Sequence, residues 1–183
     1  RVPPTECGWG VKLVAPCAAQ NGALVLSPKG KYQHSDLAAT GNIVIDANQS
    51  DVMATGSTWA QADLSVNAAD YTNSGYVVAD GMADIQATTV TNTGTLGGRE
   101  ALTVEADSIL NDQGGALLSE NDINLSADQV TNRLADIYTS GNLPINGRDS
   151  ESAQKLEHRS GRIEAEGGGA GQAGTHSEVG AAT

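Results

Sequence analysis

Phenylalanine is absent from this 183-residue chain, and two Trp and four Tyr are its only aromatic residues. A core without large rings must be built from Val, Ile, Leu and Ala. Cations are scarce too: Lys and Arg total 10 against 22 Asp and Glu, a net charge of −12. Phosphate backbones are held by surplus cationic side chains, so this balance excludes nucleic acid as a partner. The same repulsion opposes binding to anionic membrane surfaces. No uninterrupted apolar run approaches the ~20 residues of a membrane span. Cysteine is limited to Cys7 and Cys17, with no His nearby and no second pair, which argues against zinc. A local Cys7–Cys17 disulfide fits an exported protein best, with two free thiols as the alternative. The opening RVPPTECGWG has neither an initiator Met nor a leader, and reads as part of a longer or processed chain.

What the chain does have is unevenly distributed. Residues 1–37 carry four basic and two acidic side chains, and residues 148–183 four and six. Residues 38–147 carry only Arg99 and Arg133 against fourteen carboxylates, so the middle block holds the charge. It also repeats. Asn73, Asn92, Asn111 and Asn132 recur at spacings of 19, 19 and 21. Nine residues before each stand Leu64, Ala83, Leu102 and Ile123; seven before, Val66, Ile85, Val104 and Leu125. Ala68, Ala87, Ala106 and Ala127 lie five before, and Tyr71, Val90, Ile109 and Val130 two before. An earlier copy carries Ile43, Ile45 and Ala47 with Val52 at the Asn position, and a later one starts at Leu143 and Ile145.

Each unit opens with strict alternation, as in Leu102-Thr103-Val104-Glu105-Ala106, which puts apolar side chains on one face of a strand. Turn residues follow the Asn: Ser74-Gly75, Thr93-Gly94, Gly114-Gly115. One such unit cannot bury its apolar face alone, whereas stacked copies can. The spacing therefore predicts an all-β fold: a right-handed parallel β-helix, or β-solenoid, of about six coils with 19–21-residue repeats. The four Asn are expected to form a structural ladder, passing amide hydrogen bonds from coil to coil.

The expected organisation is an irregular entry and capping segment at 1–33 and the repeat domain at 34–147. An insertion loop and partial last coil follow at 148–166, then a disordered Gly/Ala-rich tail at 167–183. A strand at residues 22–26 is expected to cap the open end, and residues 152–157 to form one helical turn. The insertion places Arg148, Lys155 and Arg159 on an otherwise acidic rod, a candidate recognition loop, with Arg159 at the Asn position.

Signals for chemistry are weak. His34, His158 and His176 sit in unrelated segments and read as solvated. Neither a G-x-S-x-G elbow nor a phosphate loop is present. A catalytic β-helix needs paired carboxylates or a base beside cations. The repeats offer only Arg99 and Arg133, and no aromatic platform for sugar rings. Calcium at the acidic turns Asp80, Asp112 or Asp122 lacks a supporting repeat. No cofactor, metal or catalytic residue is assigned, and the chain is not expected to be an enzyme.

The segments GNIVIDA (41–47), ADLSVNAADYTNSG (62–75), ADIQATTVTNTG (83–94), EALTVEADSILNDQGG (100–115) and NDINLSADQVTN (121–132) resemble the repeats of filamentous haemagglutinin-type exoproteins of two-partner secretion. RSGRIEA (159–165) resembles the later half of another unit. That family includes adhesins and contact-dependent growth-inhibition exoproteins of Gram-negative bacteria. The resemblance implies a secreted surface filament, exported by an outer-membrane transporter partner. Such a filament acts in adhesion to host or neighbouring bacterial cells, or as the stalk displaying an inhibition toxin. A β-helical carbohydrate-active enzyme, a polysaccharide lyase or hydrolase, is the alternative. The amino-terminal secretion motifs and a toxin-like region are not present in these residues.

Overall fold

The computed structural model describes residues 12–13, 17–148, 155–170 and 176–178. Every regular element among them is a β-strand, and every strand pairing is parallel. The protein is a β-solenoid with about six stacked coils in the repeat region. Each coil contributes one strand to each of three faces. The first face stacks Leu24–Leu26, Ile43–Asp46, Leu64–Asn67, Met82–Gln86 and the starts of Ala101–Asp112 and Asp122–Thr139. The second stacks Tyr32–His34, Val52–Ala54, Asp70–Asn73 and Thr89–Asn92, then the later parts of those same two long strands. The third stacks Cys17–Ala19, Leu37–Ala39, Ser57–Ala60, Tyr76–Ala79, Thr95–Gly98 and Ala116–Ser119.

Alternation in the sequence becomes burial in the tube. Leu64, Ala83, Leu102 and Ile123 form one inward column, and Val66, Ile85, Val104 and Leu125 the next, all nearly inaccessible. Their polar neighbours, such as Ser65, Asp84 and Thr103, form the outward columns. Each side chain thus packs on its equivalents above and below, which is what turns a 20-residue period into a continuous core. Two rings nevertheless lie inside: Tyr32 and Tyr71 are buried, and their hydroxyls have no hydrogen-bond partner.

The stack extends past the repeats at both ends. The segment expected to be irregular up to residue 33 supplies regular rungs. Cys17–Ala19 pairs with Leu37–Ala39, and Leu24–Leu26 lies in register on Ile43–Ile45, the end rung of the first face among the described residues. Cys7 lies outside the described residues, as do Ser152 to Gln154 of the expected helical turn. Lys155 to His158 of the expected insertion are strand rather than loop or helix, and they run on into residues 159–165, the expected partial last coil, the whole strand Lys155–Ala165 pairing along Gln129–Thr139. The expected disordered tail contributes Gly168–Ala170 against Asn142–Leu143 and His176–Glu178 against Leu156–His158. Alternation is weak in these outer segments, so local pattern gave little notice of strands that gain their hydrogen bonds from the coil before them.

Two register assignments change. Ala54, not Val52, occupies the Asn row, because Asn48 and Gln49 take left-handed backbone (φ 43° and 69°) and lengthen that corner. His158, not Arg159, is the partner of Asn132, after a coil of 26 residues. No helix among the described residues is long and apolar enough to cross a membrane.

Candidate functional site: an aromatic-lined notch on the third face

The corner between the second and third faces is built by the asparagines. Asn73 Nδ2 donates to Asn92 Oδ1, Asn92 Nδ2 to Asn111 Oδ1, and Asn111 Nδ2 to Asn132 Oδ1, each at 2.8 Å. The same amides donate to backbone carbonyls at the start of the third face, including Thr95 O and Asp136 O. All four side chains are buried, and hydrogen bonding offsets the cost of that burial. Beside them Gly56, Gly75 and Gly94 stack backbone on backbone. A Cβ on Gly94 would meet Gly75 O at 2.0 Å. The corner therefore fixes where each third-face strand begins.

Outward columns distinguish the three faces. The first presents Val25, Val44, Ser65, Asp84, Thr103 and Asn124; the second presents Gln33, Met53, Thr72, Thr91, Leu110 and Thr131. The third presents Ala38, Trp59, Val78, Gly97, Leu118 and Tyr138. Trp59 is 43% exposed, Leu118 36%, and Tyr76, in the flanking column, 53%. Gly97 supplies no side chain between Val78 and Leu118, and the column dips there into a notch of about 550 Å³. Trp59, Tyr76 and Tyr138 all line it. Among the described residues, every aromatic ring outside the core is at this one place. Concave, largely apolar sites with a few polar groups are the usual form of ligand pockets, at roughly 300–1,000 Å³.

Charge is confined to the rim. Arg99 Nε donates to Glu120 Oε2 at 2.9 Å, and that hydrogen bond raises the guanidinium's pKa further above its ordinary value. Asp80 completes this edge. At the far end Tyr138 donates its hydroxyl to Glu166 Oε1 at 2.7 Å, and the Arg162 guanidinium lies 5.4 Å from its ring centroid. These contacts hold the ring in place.

The residues singled out from sequence are distributed otherwise. Lys155 and Arg159 share Glu157 on the second face, at 3.0 and 2.5 Å. Arg148 pairs with Asp107 and sits near Glu105, so the three cations do not converge on one site. Arg133 grips Asp112 through Nε and a terminal nitrogen, which lowers the carboxyl's pKa. His34 is buried rather than solvated, and His158 is half-buried and joins the Asn row. The side chain of His176 lies outside the described residues. Trp59, Tyr76 and Tyr138, scattered along the sequence, line one notch because the coil register places them on the same face. A signal was available in the sequence: all three residues follow the turn, on the strand whose neighbours are Val, Leu and Gly. No family model, curated protein or solved structure matches this chain.

Proposed function

We propose that this chain is a segment of a large secreted bacterial surface filament. On this reading it acts in adhesion to another cell, or as the stalk that displays a toxin, and its third face is the recognition surface. The observation that carries the reading is the asymmetry of the rod: two faces present mainly polar outward columns, and the third exposes Trp59, Tyr76 and Leu118 around the Gly97 notch. Isolated exposed apolar residues need no explanation, but a contiguous patch rimmed by charge marks an interaction site. The resemblance to haemagglutinin-type repeats supplies the setting: export through an outer-membrane transporter and a location outside the cell.

Binding is favoured over turnover. The rim carboxylates Asp80 and Glu120 are both exposed at the edge of the notch rather than enclosed with a ligand. Glu120 is also engaged by Arg99. The test is binding of the fluorescently labelled chain to a panel of bacterial and host cells, with Leu118→Glu as the third-face variant. Adhesion predicts saturable binding that the variant loses while its thermal transition is kept. Equal binding by the variant, or none by the native chain, overturns the recognition role.

A further inference from the structure

We infer that the notch over Gly97 takes a neutral, linear oligosaccharide, laid along the solenoid axis. The inference rests on the third face being a recognition surface and names its ligand class. The C–H face of a pyranose packs on an aromatic ring, and such rings must be exposed and held in position to serve. Trp59 and Tyr76 are exposed, while Tyr138 is half-buried, held by Glu166, with the Arg162 guanidinium over one face of its ring.

Spacing argues for a chain of sugars over a single one. Trp59 and Tyr138 belong to the same outward column, four rungs apart, which is roughly 19 Å at ~4.8 Å per rung. A sugar in an extended glycan advances by about one rung spacing, so successive units meet successive coils. Gly97 lets the chain approach the backbone in the middle; a Cβ there would stand 2.9 Å from Leu118 O.

Charge argues for neutrality. Asp80 and Glu120 edge the notch, Arg99 is neutralised by Glu120, and the protein carries −12 overall. Sulfated or uronic chains are repelled by this field. The Arg99–Glu120 pair instead sets a donor beside an acceptor, the arrangement that neighbouring sugar hydroxyls satisfy. An extended peptide is disfavoured for a different reason. The backbone groups of these strands point along the axis into adjacent rungs, so the face offers no free edge for strand addition.

The test is calorimetric titration of the full chain with cellohexaose, chitohexaose, maltohexaose and a heparin hexasaccharide. Trp59→Ala, Tyr138→Ala and Gly97→Ala are compared with the second-face control Thr91→Ala, after thermal transitions show which variants fold. The expected result is binding of at least one neutral hexamer, with each ring removal weakening it about tenfold and Thr91→Ala unchanged. Trp59 lies on the outside of the tube, so Trp59→Ala remains informative if Gly97→Ala does not fold. The inference is overturned by three results: no neutral hexamer bound at about millimolar concentration, affinity unaffected by both ring removals, or tighter binding of the heparin fragment. Cells bound without hexamers bound would sink the glycan and spare the recognition surface. Hexamers bound without cells bound would do the reverse.

Discussion

Asn132 Nδ2 lies 3.2 Å from Nδ1 of His158, so the column of amides that begins at Asn73 ends on an imidazole. His158 follows Asn132 by 26 residues, a longer step than any in the repeats, yet the pairing returns it to the same row. Asn132 Nδ2 also donates to Ala135 O at 2.7 Å. The row thus binds the corner of each coil to the next, and its interruption should be felt over several coils.

Asn111 is the clearest place to interrupt it. Asn111→Ala removes the acceptor of Asn92 Nδ2 and the donors to Asn132 Oδ1 and Asp136 O, all in buried surroundings. The expected loss is about 3 kcal/mol in urea unfolding, since stranded buried polar groups each cost ~1–3 kcal/mol. A loss below about 1 kcal/mol would mean that water replaces the amide and that the ladder is ornamental.

Glycine at the adjacent corner makes a paired prediction. Gly94→Ala puts a methyl against Gly75 O and should lower stability by at least about 2 kcal/mol. Gly114 has φ of 86° and open space around its Cβ position, so Gly114→Asn meets backbone strain but no clash and should cost about 1 kcal/mol. Thermal unfolding of both variants decides the matter, and equal effects would contradict the close stacking of the corner.

Val104 and Thr103 are chain neighbours with opposite fates. Val104 is fully buried between Ile85 and Leu125, and Val104→Asp places an uncompensated carboxylate between coils. A loss of more than about 4 kcal/mol, or failure to fold, is expected. Thr103 points outward between Asp84 and Asn124, so Thr103→Asn should stay within about 0.5 kcal/mol. Circular dichroism with urea titration separates the two.

His34 predicts how stability falls with acid. Burial pushes its pKa down to about 4, partly countered by the Ser35 backbone and Asp36. Its Nδ1 lies 3.5 Å from Thr58 Oγ1 and its Nε2 has no partner. An unfolded His titrates near 6.5, so the unfolded chain binds the proton first. Stability from this group is complete above about pH 6.5 and is lost as pH falls toward 4, by on the order of 3 kcal/mol. Urea midpoints at about pH 7 and about pH 4.5 should differ more for the native chain than for His34→Leu. Identical differences would show that His34 is not held neutral.

The sequence alone determined the repeating unit. Alternation at Leu102-Thr103-Val104, the Asn rows and the turn glycines are local signals, and a solenoid adds no topology beyond stacking that unit. Inward columns were therefore legible as far as the period held, from Ile43 to Ile145. Tertiary structure decided what lay outside the period. Cys17–Ala19 and residues 155–158 are strands because a neighbouring coil offers unpaired backbone groups, which no window of their own sequence records. The outward column of the third face was decided in the same way. Trp59, Val78, Gly97, Leu118 and Tyr138 are about twenty residues apart along the chain and become a single column only when the coils lie in register. Composition shows only how few rings there are; stacking put Trp59 and Tyr138 at the two ends of one column, because a parallel solenoid converts equal positions in successive repeats into neighbours one rung apart.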